Sequence, residues 1–432
     1  MFKNIILWTE NQFNQIKSGN YKIFLFKVKK CLFYLFIIFL ILPAFPIFLI
    51  MRFLSKIILI RFGKIPSRRF GHFILDVDQY LCMLQKPKFP TYDFFYLEKP
   101  VSNNELVKLF GKFLKIIPSI LILPFEILNN FKFIGNSKHN IILNEKEGWV
   151  TRNRYNDLNK YNYFSKKDFE RGNFFLKNLG INKEDKFICL LCRDNEYIKH
   201  LYSKTYDLEY TKIGDQSTYR NCSIDNFRLI CEYLTSKGYY IFRMGDKVSK
   251  PFFIKSKKFF DYSTLGMRNE FLDIFLSANC ELFLTTGSGL DSTAEVFNRP
   301  RVIVSNPRIG YITTNYEKQL TIFKHFISNN KKITLSEIFN LGLAEATRNY
   351  QFISKNINLV ENNPEEIRDA VIEMLELIQN NFMISDERKN IEQKFWKIFK
   401  KKISDQNLSF LHKNYLSHIG YNFLNQNTHL LI

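Results

Sequence analysis

The sequence predicts an α/β protein with a doubly wound sheet, an N-terminal hydrophobic membrane segment and C-terminal helices. Three observations carry this. Residues 271–306 read as helix, strand, Thr286-Gly287-Ser288-Gly289 turn, helix and strand. From residue 187 onward, short apolar runs alternate with helical patterns as strand, helix, strand, strand, helix, strand, helix, strand. Residues 31–51 hold no charged side chain, and basic residues flank them.

A chain of 432 residues is long enough for two globular domains plus extensions. Its net charge of +21 is uneven, since twelve of the Lys and Arg residues fall in positions 1–70 against one acid, Glu10. That asymmetry points to an anionic membrane surface and away from a nucleic-acid groove, and no nucleic-acid-binding motif is present. Seven cysteines at irregular spacing do not form a disulfide framework. Cys189-Leu-Leu-Cys192 lies inside an apolar strand pattern with no second such pair, which reads as structural cysteine and not as zinc ligation.

Taken in order, residues 31–51 are long enough to cross a hydrocarbon core of ~30 Å. Pro43 and Pro46 predict a kink or break there. Lys27, Lys29 and Lys30 precede the run and Arg52, Lys56 and Arg61 follow it. A symmetric basic flank favours a broken, re-entrant or monotopic segment over a simple span. Residues 53–62 form a second apolar and basic piece suited to a membrane surface. Pro66-Ser67-Arg68-Arg69 marks a boundary. Residues 70–75 read as a strand entered through Gly71, with a helix starting at Gln79. On a strand, Asp76 and Asp78 would share one face and could hold a divalent cation. Residues 110–128 are apolar but carry Lys112, Lys115, Pro118 and Pro124; they read as a core or interface helix, with membrane contact as the alternative. A helix is predicted over 166–179, closed by Gly180.

The strand at 187–192 delivers Arg193 and Asp194 into the loop at its carboxyl end, where α/β sheets bind ligands. Tyr219-Arg220-Asn221 is a second polar loop, and Ser223 caps a helix over 224–237. The strand at 239–242 delivers Arg243-Met-Gly-Asp246. The Thr286–Gly289 turn stands between a strand and a helix N-terminus, which suits a phosphate or pyrophosphate; tight packing is the other reading of its glycines. Helices over 336–341, 364–379 and 385–402 close the chain. The expected divisions are 1–65 (basic membrane segment), 66–180, 181–345 and 346–432 (helical extension).

These blocks carry a resemblance. Arg69-Phe-Gly-His72, Cys192-Arg-Asp194, Tyr219-Arg-Asn221 with Asp225-Asn226, and Arg243-Met-Gly-Asp246 are matched in order, followed by Arg268, Phe271-Leu-Asp273-Ile and Thr286-Gly-Ser-Gly289. Ile333-Thr-Leu-Ser-Glu337 and the run from Pro364 to Leu375 continue it. Over roughly residues 66–377 the chain resembles a family of bacterial glycosyltransferases of surface-polysaccharide synthesis. It departs from the pattern at Leu191-Cys192-Arg193-Asp194, where a His-Val-Arg-Asp run is expected.

The resemblance implies a GT-B-like arrangement of two Rossmann-like domains, 66–180 on the acceptor side and 181–345 on the nucleotide-sugar side. Its partners would be a nucleotide-sugar donor, a lipid-linked or other saccharide acceptor and the cytoplasmic face of the bacterial inner membrane. Helix N-termini and arginines can stabilise the departing diphosphate without a metal or other cofactor. The expected donor-binding residues are Arg193, Arg220, Asn221, Arg243, Asp246, Thr286, Gly287, Ser288 and Gly289. His72 and Asp76 are the two candidates for the general base that an inverting reaction needs to take the acceptor hydroxyl proton. Two alternatives stand beside this: a metal-dependent glycosyltransferase using Asp76 and Asp78, and a non-catalytic membrane-anchored scaffold.

Overall fold

The computed structural model describes residues 21–83, 90–131, 135, 137–143, 162–205, 216–409, 412 and 414–432; the first 20 residues of the expected membrane segment lie outside these. It is a mixed α/β protein with two parallel sheets and an N-terminal apolar helix. That helix, α1 (Tyr21–Phe53), runs unbroken through Pro43 and Pro46, both on its exposed side, where the sequence predicted a kink or break. The first sheet holds β1 (Leu59–Ile65), β2 (Thr91–Leu97), β3 (Lys115–Ile116) and β4 (Asn140–Ile141) in the order β3-β2-β1-β4, all parallel. Of residues 53–62, expected along a membrane surface, 59–62 belong instead to β1, and 54–56 form a short 3-10 turn ahead of it. Ion pairing of Arg61 with Asp93 at 2.6 Å joins β1 to β2 across the register.

Between these strands run α2 (Phe70–Met83), α3 (Asn104–Gly111) and α4 (Ser119–Asn130). Residues 70–75 are the first turn and a half of α2 and not a strand. The reason is visible in the burial: Phe73, Ile74, Val77 and Leu81 face the core at helical spacing and carry the helix straight through Asp76 and Asp78. On a helix, residues two apart point about 200° away from each other. Asp78 instead accepts a hydrogen bond from the Tyr163 hydroxyl at 2.6 Å. The shared carboxylate face on which the metal-dependent alternative depended does not exist.

The second sheet is built on β5 (Phe187–Leu191), β6 (Tyr240–Arg243), β7 (Phe259–Phe260), β8 (Leu282–Thr285), β9 (Arg301–Asn306) and β10 (Gln319–Phe323). Their order, β7-β6-β5-β8-β9-β10, is that of a doubly wound sheet, reversing direction between β5 and β8. All pairings are parallel. Strand β5 is buried throughout, and alternate residues feed different cores: Ile188 and Leu190 on one face, Cys189 and Leu191 on the other. Helices α5 (Lys166–Asn178), α6 (Glu196–Thr205), α7 (Arg228–Ser236), α8 (Glu270–Asn279) and α9 (Ser292–Val296) connect the strands or precede them. Ser165 and Asp168 form a capping box on α5, and Gly180 follows it at φ +77°.

A small antiparallel sheet of β11 (His325–Ser328), β12 (Lys331–Lys332) and β13 (Asn358–Val360) follows, with α10 (Leu335–Asn340) and α11 (Asn349–Ile353). Helices α12 (Pro364–Gln379) and α13 (Asp386–Asp405) return across the second sheet, β14 (His418–Ile419) adds a seventh strand beside β10, and α14 (Tyr421–Gln426) packs on α12. The expected C-terminal extension is thus part of the body: Phe395, Phe399 and Leu424 share one core with Ile188, Leu284 and Phe323. The other large core is continuous between the two parallel sheets, joining Ile65, Phe73 and Phe95 to Cys189, Phe242, Phe275 and Phe283.

Candidate functional site

The site begins where the second sheet reverses. At the carboxyl ends of β5 and β8, the Thr286 N–H donates to the Leu191 carbonyl at 3.2 Å and the Arg193 N–H donates to Thr286 Oγ1 at 2.9 Å. The two loops are stapled there, with Thr286 buried. The Cys222 N–H then donates to the Arg193 carbonyl at 3.0 Å, which draws the Tyr219–Asn221 loop to the same end of the sheet. Arg220 reaches across it, its Nη2 donating to the Gly287 carbonyl at 2.7 Å. Arg193 Nη2 donates to Ser217 Oγ at 3.1 Å.

A cavity of about 100 Å³ opens at this point, lined among others by Leu75, Arg220, Gly287, Ser288, Arg308 and Tyr311. The guanidinium of Arg220 is pushed well below its ordinary range, first by burial and then by the positive charges of Arg193 and Arg308. Arg220 and Arg308 line this small volume and Arg193 acts on Arg220 from beside it, so a negative group entering it would offset their repulsion. Arg308 was not among the expected residues. It follows β9 at the carboxyl end, and its guanidinium lies 4.8 Å from the centre of the Tyr311 ring.

Two of the three amides expected to meet a phosphate, those of Gly287 and Ser288, are already occupied. The Ser288 N–H donates to Asp291 Oδ2 at 2.7 Å and the Gly287 N–H to Thr285 Oγ1 at 3.0 Å. Asp291 supplies the anion that a phosphate was expected to supply. Burial raises its carboxyl above the usual range, against the pull of Arg301. Arg301, buried in β9, lies 3.6 Å from Asp291 and 3.0 Å from Glu295. Gly287 is needed for its backbone, at φ +81°.

Gly289 is needed for space. A Cβ at Gly289 would lie 2.9 Å from the Gly71 nitrogen, and one at Gly71 would lie 3.0 Å from the Gly289 Cα. Backbone meets backbone here, so the start of α2 rests directly on the turn. Gly289→Ala is expected to cost roughly 1–3 kcal/mol by overpacking. Gly111→Ala, with nothing within 4 Å, serves as a neutral control. Urea denaturation of the two variants measures the difference.

That contact brings α2 to the cavity. Leu75 lines it, and His72 and Asp76 lie on the same helical face as Leu75. His72 Nδ1 stands 3.6 Å from Asp76 Oδ2, with the histidine side chain 23% exposed and the aspartate 2%. Among the described residues, neither carboxylate oxygen of Asp76 nor Nδ1 of His72 has a hydrogen-bond partner. A buried carboxylate left this way is costly unless something else completes it.

The remaining expected residues lie elsewhere. Arg243 is 1% exposed and closed, its Nη1 bonded to both Asp261 oxygens at 3.1 and 3.2 Å and to the Lys250 carbonyl at 2.8 Å. It does not line the cavity. Asp246 pairs with Arg268 at 2.8 Å, and Arg268 pairs with Asp273 at 2.8 Å. Burial pushes the Asp273 carboxyl up to about 6. This network braces the β6–β7 connection against α8. The Asn221 carbonyl accepts from Lys324 Nζ at 2.6 Å, and Asn221 Oδ1 is buried without a hydrogen-bond partner among the described residues.

No protein-family model matches the sequence, and no curated protein matches it. Among solved structures, the chain is similar to the E. coli ADP-heptose lps heptosyltransferase II at 11% identity and a TM-score of 0.42, covering 74% of this chain and 100% of that one. It is similar to a glycosyl transferase family 9 protein from Veillonella parvula at 10% identity and a TM-score of 0.42, covering 74% and 98%. The E. coli heptosyltransferase WaaC, with ADP-2-deoxy-2-fluoro heptose, matches at 12% identity and a TM-score of 0.31, covering 69% and 100%.

Proposed function

We propose that the protein is a glycosyltransferase. It moves a sugar from a nucleotide-sugar donor to a saccharide acceptor, lipid-linked, at the cytoplasmic face of the bacterial inner membrane during surface-polysaccharide synthesis. In this reading the two parallel sheets are the Rossmann-like halves of a GT-B-like enzyme, the first, which already begins with β1 at Leu59, on the acceptor side and the second on the donor side. The observation that carries it is a cavity at the reversal of a doubly wound sheet, lined by Arg220 and Arg308 and by Leu75 of α2, the helix that also carries His72 and Asp76.

The chemistry follows from the charges. As the bond from the anomeric carbon to the diphosphate breaks, negative charge grows on the leaving oxygens, and the arginine cluster stabilises it without a metal. The cavity suits a phosphate group more than a whole donor. His72, the more exposed member of its pair, takes the acceptor hydroxyl proton, and Asp76 behind it holds the resulting imidazolium. Thr286 frames the site; Arg243 and Asp246 support the fold.

The test is a thermal-shift panel of nucleoside diphosphates and nucleotide-sugars on the full chain in detergent, with and without EDTA. A ligand at a hundredfold excess over its Kd stabilises by ~2.7 kcal/mol. The expected result is a shift with one nucleotide that survives EDTA and weakens at least tenfold in affinity in Arg220→Ala, the loss of a charged hydrogen bond costing roughly 1.5–3 kcal/mol. A folded protein that binds nothing in a complete panel overturns the reading and leaves the membrane-anchored scaffold.

A further inference from the structure

The uncharged run in α1 spans residues 31–51, but most of it is not available to cross a bilayer. Ile37, Ala44, Phe48 and Met51 are buried at helical spacing along one stripe. Ala44 and Phe48 pack on Leu128 of α4, and Met51 packs with Ile122 of α4, Phe62 of β1 and Tyr96 of β2. Phe48 also meets His139, whose Nδ1 lies 2.6 Å from the Ile60 carbonyl beside the first sheet. Residues 41–51 are thus fixed to the folded body. Positions 31–40 are uncharged and outside those contacts, about 15 Å of helix against a hydrocarbon core of ~30 Å.

The rest of the helix surface is nevertheless apolar. Phe36, Phe39, Leu42, Leu49, Ile50 and Phe53 are exposed around α1. Leu121 on α4 and Phe131 just after it are exposed beside them. A helix apolar on nearly all sides calls for a surrounding solvent of the same kind and not for one partner stripe. Lys29 and Lys30 stand exposed at one end of the run and Lys56 at the other. Charges of one sign at both ends suit anionic headgroups on one surface and repel a second copy of the same helix.

We infer that α1 does not span the membrane: α1 and α4 form one wedge that enters a single leaflet of an anionic bilayer, with both ends of α1 and both sheets on the same side. This rests on the membrane-bound part of the proposed function and not on sugar transfer.

Six of the seven cysteines are buried and only Cys31 is exposed, so Cys31→Ser gives a clean background for labelling. In that background, Lys30→Cys and Lys56→Cys are probed with a membrane-impermeant maleimide in spheroplasts and in inverted vesicles. Both positions are expected to label from the inverted vesicles alone. Phe39→Cys and Leu121→Cys, carrying a bimane in phosphatidylglycerol-containing vesicles, are both expected to be quenched by brominated lipids, most strongly by shallow bromines. Labelling of positions 30 and 56 from opposite sides overturns the inference and leaves the membrane reading standing. Loss of quenching, with cross-linking of Phe39→Cys between two chains, gives the surface to a second copy instead. A chain absent from the membrane fraction defeats both readings, while nucleotide binding still reports on the transferase by itself.

Discussion

His72→Gln is expected to lower turnover by roughly 10²–10⁴-fold while leaving nucleotide affinity unchanged, the range for loss of a positioned general base. The geometry separates this role from a packing role. A histidine kept for helix stability would use its i, i+4 neighbour as a hydrogen-bond partner, yet Nδ1 of His72 and both oxygens of Asp76 lack one at a separation of 3.6 Å. The pair is set for a third group. Asp76→Asn keeps the shape and removes the charge that favours the imidazolium. It is expected to depress turnover, with KM for the donor little altered. The measurement is steady-state transfer with the donor found in the nucleotide panel. Unchanged turnover in His72→Gln would return the pair to a structural role and move the base elsewhere on the acceptor side.

Much of the second sheet was legible because its strands are short, apolar and punctuated by glycines. The runs at 187–192, 281–285 and 301–304 are strands β5, β8 and β9 within a residue or two, and helix α12 begins and ends as predicted. Residues 70–75 were not legible, because Phe-Gly-His-Phe-Ile-Leu reads as a strand over six residues. Its helical stripe becomes visible only when Val77 and Leu81 are counted with Phe73 and Ile74. The strand-end rule that selected Arg193 after β5 also fits Arg308 after β9, and applying it there would have found the third arginine. Arg243 fails the same rule for a reason no spacing reveals. Asp261 lies across the β6–β7 pair and takes the guanidinium inward. Likewise, nothing in Thr-Gly-Ser-Gly announces that Asp291, two residues beyond the turn, bends back to occupy the Ser288 amide.

Arg243→Ala is expected to destabilise the protein by about 3–5 kcal/mol, the cost of leaving one partner of a buried ion pair behind, and to leave nucleotide binding intact in the fraction that stays folded. Asp261 would keep its bonds from the Phe252 N–H at 2.8 Å and Ser263 Oγ at 2.6 Å, but these do not cancel a buried charge. The Lys250 carbonyl would lose its donor too, releasing the loop that connects β6 to β7. Arg243→Lys is expected to recover only part of the loss: all three bonds come from Nη1, and the lysine side chain is one atom too short to bring its ammonium to the same place. Urea midpoints give the stability, and nucleotide titration in the absence of urea gives the affinity. Arg220→Ala is the mirror case: its guanidinium is bonded to one carbonyl and crowded by like charges, so its removal weakens the ligand and spares the fold. An Arg243→Ala protein with an unchanged urea midpoint and no nucleotide binding would reverse the two assignments, placing the diphosphate at β6 and not at the β5–β8 reversal.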